Sequence, residues 1–443
     1  MEIKNITVLG SGIMGHGISQ VSAMAGYNVV LRDIEQKFLD NAMEKIKWSL
    51  DKLVSKEKIS DDERNKIISR ITPIIDLNDA VQDSDLVIEA VPEIMDLKKK
   101  VYAELDKAAD DHVIFASNTS TLPITEISNT VSNPERFIGI HFFNPPQLMK
   151  LVEVIPGHNT SENITNITLD FVKSVKKIPV ICRKDVPGFI INRLFIPLVH
   201  ESCYILERQK LKQREIDSAV KYNLGFPMGI FELADFTGMD VIHKATVEMH
   251  LRDKKVILPH PRIKQLFSEN KLGKKNGEGF YKYSNEKYER IELSEELASK
   301  CDQTQIIANV LNNAAWLVTN GASDINEIEK AASLGLGLKK PLFETANEIG
   351  IQKIVDELKK LAQQHGTFYE PDPLLVSMCL FALKCILLLA EEFQRRQFLH
   401  FFCGLNIRRH ILLQFHQNFL VRQWVFCTYM RHKFLIMSQN HLQ

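Results

Sequence analysis

The run Gly10-Ser11-Gly12-Ile13-Met14-Gly15 constrains the fold of this chain more than any other feature. It follows the apolar stretch 6–9 and opens a helical pattern that reaches Ala25. In a strand–loop–helix unit of this kind, the first glycine permits the tight turn and the second lets a pyrophosphate approach the backbone. The third allows the helix to pack close against the strand. The helix N-terminus adds amide donors and the positive end of its dipole. A second apolar stretch, 27–31, leads to Asp33, 18 residues beyond Gly15. A carboxylate there accepts bonds from a ribose 2′-OH and repels a 2′-phosphate, which favours NAD over NADP despite the adjacent Arg32. A bare structural glycine turn would leave the strand, the helix and the acid without a common explanation.

Residues 3–157 alternate short apolar runs with helical patterns, as βαβ units do. The runs are 6–9, 27–31, 85–91, 113–117, 137–141 and 151–155. The early ones are apolar on both faces, as strands of a sheet covered by helices should be. The expected fold class is therefore α/β, a Rossmann-type doubly wound sheet over residues 1–186. Asp185-Val186-Pro187-Gly188 reads as a break between domains. Beyond it helical spacing dominates, over 189–208, 213–223, 229–248, 304–319, 325–333 and 341–363. This half repeats itself at a gapless offset of 112 residues. Tyr204 matches Trp316, Glu215-Ile216-Asp217 matches Glu327-Ile328-Glu329, and Leu224-Gly225 matches Leu336-Gly337. Phe231-Glu232-Leu233-Ala234 matches Phe343-Glu344-Thr345-Ala346, Gly238 matches Gly350, and Pro261 matches Pro373. So many agreements at one offset predict two copies of an all-α domain, 187–285 and a truncated 300–378.

The repeat fades at Met378 and the composition then changes. The last 65 residues hold 4 of the 7 Cys, 9 of the 24 Phe, only 2 of the 55 acidic residues and no Pro. No helical or strand period persists there. Residues 379–443 are read as an atypical tail, frameshifted or disordered, in preference to a membrane-associated or partner-binding segment. Lys+Arg and Asp+Glu are both 55, so no bulk charge attracts nucleic acid or an anionic membrane. No apolar run is long enough to span a bilayer, and the first residues enter a strand without a secretory pattern. Residues 1–378 hold only Cys182, Cys203 and Cys301, with no disulfide or metal spacing. A cytoplasmic protein with no transmembrane segment, metal or nucleic-acid partner is expected.

Chemistry concentrates at strand ends. Gly139-Ile140-His141-Phe142-Phe143-Asn144-Pro145-Pro146 places His141 where an apolar run breaks into a proline-stiffened loop. Glu153, twelve residues later, sits inside the next run, Leu151-Val152-Glu153-Val154-Ile155. A carboxylate within a buried strand needs a partner. An imidazole held by one is oriented and made more basic, as proton abstraction requires. Taken alone, the pair reads first as a satisfied core histidine beside an edge carboxylate. Glu93 and Lys98 follow the run 85–91 at what should be a strand's carboxyl end, where ligands bind. On position alone they are also a helix-start acid and a surface lysine. Ser117-Asn118-Thr119-Ser120 ends another strand and offers hydrogen bonds to a substrate oxygen or a histidine, or simply a helix cap. Asn192, within an apolar stretch, needs partners or faces a cleft. Its counterpart in the second copy is Thr304, so only the first copy is equipped for a site.

Together these residues resemble the L-3-hydroxyacyl-CoA dehydrogenase family, including the 3-hydroxybutyryl-CoA dehydrogenases. The resemblance runs from Ile3 to Tyr283 and rests on GSGIMG, SNTS, GIHFFNPP, LVEV, DVPGFIINR and LGKKNGEGFYKY. The second helical copy is similar to fused forms of the family, in which the repeat serves as an internal pseudo-dimer partner. Nothing after Met378 resembles the hydratase domain of some of those forms. The resemblance implies NAD-dependent interconversion of (S)-3-hydroxyacyl-CoA and 3-oxoacyl-CoA, as in fatty acid β-oxidation. It implies that His141 is the general base and Glu153 its orienting acid. Ser120 would bond the substrate 3-oxygen, Asn192 would help fix the thioester, and Asn144 would support the loop. Gly10, Gly12, Ile13, Met14, Gly15, Asp33, Glu93, Lys98, Asn118 and Lys275 would contact NAD. Ser49 and Lys56 would bind CoA from a helical hairpin inserted in the first domain. One active site per chain follows, in a homodimer or an intrachain pseudo-dimer. The competing readings are a dehydrogenase of free hydroxy or sugar acids on the same scaffold, and a catalytically impaired scaffold protein.

Overall fold

The apolar runs assemble into one sheet of β1 (Asn5–Leu9), β2 (Asn28–Arg32), β3 (Ile71–Ile74), β4 (Leu86–Glu89), β5 (Ile114–Ser117), β6 (Phe137–Phe142), β7 (Leu151–Pro156) and β8 (Ile178–Ile181). The structure is a computed structural model that describes residues 2–283 and 292–379. Strand order is β3-β2-β1-β4-β5-β6-β7-β8, and every neighbouring pair is parallel except β6 with β7. Strand order reverses at β1, between β2 and β4, which creates the crevice where doubly wound sheets bind ligands. Alternate residues feed separate cores. Ile6, Val8, Leu31, Ile88 and Ile140 pack on one face; Leu9, Val87, Phe115 and Leu151 pack on the other. Helices α1 (Ile13–Met24), α2 (Gln36–Ser55) and α3 (Asp61–Ser69) follow β1 and β2. The α2–α3 pair is a hairpin whose second helix starts on a Ser60–Glu63 capping box.

The expected sheet differs from the observed one at both edges. β3 and β8 have four residues each and contain Pro73 and Pro179. Proline lacks the ladder donor and is tolerated at sheet edges, so neither strand stood out as an apolar run. The antiparallel step comes from the loop 143–150, too short for a crossover between parallel strands. This hairpin sets Glu153 directly opposite His141 in register, which is the structural origin of their spacing.

The helical half contains Ile191–Arg208, Gln213–Ser218, Ile230–Thr237, Met239–Arg252 and Pro261–Ser268, then Thr304–Thr319, Ile325–Gly335, Leu342–Ile349 and Ile351–His365. The stretches expected as single helices over 229–248 and 341–363 are each two. They break at Gly238 and Gly350, with φ of 101° and 100°, a backbone that favours glycine. The stretch 213–223 ends in a π-helical turn, Ala219–Asn223. The two copies share their joints. Asp217 accepts the amides of Phe231 (2.8 Å) and Glu232 (3.3 Å); 112 positions on, Glu329 accepts those of Leu342 (2.8 Å) and Phe343 (2.9 Å).

The copies pack through Ile191–Arg208 against Thr304–Thr319, with the Arg193 guanidinium 3.8 Å over the Trp316 ring. The second copy also covers the edge strand β8. The Ile181 amide donates to Glu327 (3.1 Å), the Ser323 hydroxyl to the Ile181 carbonyl (3.1 Å), and the Arg183 amide to the Ala322 carbonyl (2.7 Å). An open strand edge is thereby satisfied. The described residues through Cys379 belong to one compact unit; the tail expected over 379–443 lies, from 380 onward, outside the described residues. Among the described residues no helix is long and apolar enough to cross a membrane, and no His, Cys, Asp and Glu cluster could hold a metal.

Candidate active site

The glycines of the first loop have three different surroundings. A Cβ on Gly10 (φ 91°) would stand 2.7 Å from the Ala90 carbonyl oxygen, and one on Gly15 only 1.7 Å from the Gly10 carbonyl oxygen. A Cβ on Gly12 would meet nothing within 4 Å. The protein itself therefore does not require Gly12 to lack a side chain; its absence leaves open backbone at the α1 N-terminus. Ser11 donates from its amide and its hydroxyl to Asp33 Oδ2, both at 2.7 Å, so the acid is pinned beside the loop. Ile13 is 65% exposed and Met14 half-buried. Open backbone amides at a helix start beside an anchored acid fit a dinucleotide's pyrophosphate and ribose.

His141 and Glu153 form the second cluster. Their side chains are 6% and 0% exposed, and His141 Nδ1 lies 2.7 Å from Glu153 Oε2. A carboxylate only accepts, so Nδ1 carries the hydrogen and Nε2 is left with its lone pair. The other oxygen, Oε1, accepts the amides of Ile190 (3.0 Å) and Ile191 (2.9 Å). These are donors that a helix start leaves without intrahelical partners, and the dipole there favours an anion. Gly188 and Phe189, with φ of 80° and 50°, turn the chain into that helix. Phe189 holds this left-handed conformation without a glycine's freedom, as residues at functional sites sometimes do. Phe143 packs its ring 4.4 Å from that of His141.

The third cluster holds the loop after β5. Asn118 Oδ1 accepts the Phe142 amide at 2.8 Å, tying this loop to the end of β6. Glu93 Oε1 accepts the Thr119 hydroxyl (2.6 Å) and the amides of Ser120 (2.8 Å) and Thr121 (3.1 Å). Asn192 Nδ2 donates to the Ser120 carbonyl at 2.9 Å. Lys98 departs from the surface-lysine reading. Its side chain is 1% exposed and bridges Glu89 (2.6 Å) and Glu93 (3.3 Å). Burial alone would raise the Glu93 carboxyl, but Lys98 and the loop donors outweigh it and hold Glu93 below its ordinary value. Burial wins at Glu89, which stays raised despite Lys98.

The other expected residues have settings of their own. Asn144 is exposed and joined to Pro145 by a cis peptide. Lys275 is paired with Asp240, at the start of Met239–Arg252. Ser49 is half-buried on α2, and the exposed Lys56 caps that helix's end. Glu89 was not anticipated, although an acid inside Leu86-Val87-Ile88-Glu89 gives the same signal that identified Glu153. A cavity of about 400 Å³ between the helical copies, lined by Asn223, Cys301, Thr304 and Glu348, contains none of these residues.

Comparison with known proteins gives the family. Residues 5–186 match the 3-hydroxyacyl-CoA dehydrogenase NAD binding domain, and residues 188–283 and 303–382 both match the 3-hydroxyacyl-CoA dehydrogenase C-terminal domain. The second match runs on to 382, past the Met378 at which the repeat fades. The chain is 43% identical over 288 residues to the mitochondrial hydroxyacyl-coenzyme A dehydrogenase of Homo sapiens, covering 63% of this chain and 91% of that protein. It is 38% identical over 278 residues to a probable 3-hydroxybutyryl-CoA dehydrogenase of Deinococcus radiodurans, covering 62% and 99%. The crystal structure of 3-hydroxybutyryl-CoA dehydrogenase from Escherichia coli superposes with a TM-score of 0.78 at 26% identity. It covers 99% of its own length and 86% of this chain, against 63% and 62% of this chain for the other two relatives. The chain belongs to the 3-hydroxyacyl-CoA dehydrogenase family, as an NAD-dependent dehydrogenase with one NAD-binding domain and two copies of the C-terminal domain.

Proposed function

We propose that this chain interconverts (S)-3-hydroxyacyl-CoA and 3-oxoacyl-CoA at a single site built around His141. The observation that carries the reading is the seat of Glu153, whose two oxygens take His141 Nδ1–H and two helix-start amides. That seat, in which both carboxylate oxygens accept, holds the imidazole in place and fixes the tautomer that leaves Nε2 as the base. Bound NAD supplies the hydride acceptor. His141 takes the 3-hydroxyl proton in oxidation and returns it in reduction, a role worth typically about 10²–10⁴-fold. The imidazolium so formed faces an anion already in place, so little reorganises during the step. The Ser120 hydroxyl donates to the substrate 3-oxygen. Asn192, anchored on the Ser120 carbonyl by one amide hydrogen, has a second for the thioester carbonyl. Asn144 supports the loop after β6.

Gly10, Gly12, Ile13, Met14, Gly15 and Asp33 would hold the nucleotide's pyrophosphate and ribose. Glu93, Lys98 and Asn118 would meet its nicotinamide end, with Lys275 reaching it from the helical domain. Ser49 and Lys56 would receive CoA on the α2–α3 hairpin. We divide the chain at 186 and again near 300, and take the internal pairing of helical copies in place of a homodimer. The buried, unpaired thiols of Cys182, Cys203 and Cys301 suit a reducing compartment such as the cytoplasm. The test is NADH oxidation with acetoacetyl-CoA, set against NAD reduction with free 3-hydroxy acids and sugar acids. Turnover of the thioester alone is the expected result. Preference for a free acid favours the other dehydrogenase reading, and NADH binding without turnover favours the scaffold.

A further inference from the structure

The loop that carries Ser120 is gripped from two sides. Glu93 takes the Thr119 hydroxyl and the next two amides from within the first domain. Two side chains of the helical domain take consecutive carbonyls of the same loop: Asn192 Nδ2 reaches that of Ser120 at 2.9 Å, and Arg252 Nη1 that of Thr121 at 3.0 Å. Arg252 ends the helix Met239–Arg252. Its Nη2 donates to Asp185 twice, at 3.2 Å to the backbone oxygen and 2.9 Å to Oδ1. Asp185 lies in the break between domains, and its Oδ2 accepts the Thr125 amide at 2.8 Å. The Arg252 and Asp185 side chains are only 16% and 6% exposed. The next residue, Asp253, pairs at 2.9 Å with Arg193, the neighbour of Asn192. One guanidinium therefore joins the helical domain, the interdomain break and the loop after β5. A planar fork serves three acceptors at once, which an ammonium on a flexible stem cannot do in a fixed geometry.

We propose that Arg252 is a positioning residue for the dehydrogenase reaction, holding the 119–121 loop against the helical domain so that Ser120 stands at the substrate 3-oxygen. The inference rests on the role given to Ser120 above. Arg252→Lys and Arg252→Met in the full chain test it, with acetoacetyl-CoA and either NADH or 4-deuterated NADH. Both variants should lose kcat on the order of 10- to 100-fold, the scale set by small misplacements of reacting groups. NADH affinity, read by fluorescence titration, should not change. The deuterium isotope effect on kcat should rise, because hydride transfer becomes the slow step. A merely structural role shrinks the active fraction, which scales kcat but leaves the isotope effect as it was. Wild-type kcat in both variants, or a lowered kcat with an unchanged isotope effect, overturns the proposal. If Arg252→Met fails to fold, Arg252→Lys decides, since it keeps the charge beside Asp185 and loses the fork. An inactive wild-type chain would instead overturn the functional reading on which the inference rests.

Discussion

Gly12 and Gly15 occupy the same loop, yet their surroundings predict opposite consequences of adding a methyl group. At Gly12 the methyl enters open space; at Gly15 it collides with the Gly10 carbonyl. Gly12→Ala should therefore melt like the wild type without cofactor but bind NADH at least about tenfold more weakly, a loss of about 1.4 kcal/mol. Gly15→Ala should lower the melting temperature outright, since overpacking of this kind costs about 1–3 kcal/mol. The residue scale also shows which chemistry the sequence made legible. Glu153 stood out because a charge inside an apolar run demands a partner, and the register supplied His141. Glu89 gave the same signal and turned out to serve an internal ion pair. The burial of Lys98 was hidden, because a lysine on an amphipathic helix reads as surface until its tertiary partners are placed. Arg252 was invisible for the same reason: all three of its acceptors are distant in sequence.

Among the elements, the two helical copies solve one problem with different side chains. His200 accepts the His260 amide on Nδ1 at 3.2 Å, while Asn312, its counterpart 112 positions on, accepts the Asp372 amide at 2.7 Å. His200 is fully buried, and burial together with His260 and His243 pushes it down to about 3 from an ordinary 6.5. A folded value below the unfolded one means that protonation favours unfolding. The stability is present above about pH 6.5 and is lost as pH falls toward 3. At pH 5 this one group costs the fold about 2 kcal/mol, while the buried carboxyls of Asp217 and Asp235, raised to about 8 and about 6, act in the opposite direction. His200→Asn, which borrows the second copy's solution, should therefore shift the difference in melting temperature between pH 5 and pH 7 by several degrees in favour of pH 5 relative to the wild type. An equal difference in the variant would contradict the assignment. The repeat itself was legible as an offset, and so were six of the eight strands. The helix breaks at Gly238 and Gly350 were not, because an isolated glycine in a helical pattern can be tolerated as well as terminal. The edge strands were missed because short proline-containing strands carry little apolar signal.

Across the whole molecule, the second helical copy occupies surfaces that would otherwise stand open. Tyr369 donates to the buried Glu201 at 2.6 Å, and Glu201 also pairs with Arg208. Arg193 stacks on Trp316, and β8 receives its missing partners from 322–327. With its helical face satisfied internally, the chain should run as a monomer of 50.7 kDa in light scattering. A species of twice that mass would contradict internal pairing as the substitute for a dimer. The sequence announced the second copy but not its grip on β8, since that contact joins segments more than 140 residues apart.

On the proposed mechanism His141, held by Glu153, moves the substrate proton while the rest of the site binds and orients. The decisive measurement is single-turnover oxidation of NADH by acetoacetyl-CoA in His141→Gln, alongside a fluorescence titration of NADH. NADH affinity should be unchanged and hydride transfer slowed by about 10²–10⁴-fold. Transfer at the wild-type rate in that variant would contradict the mechanism.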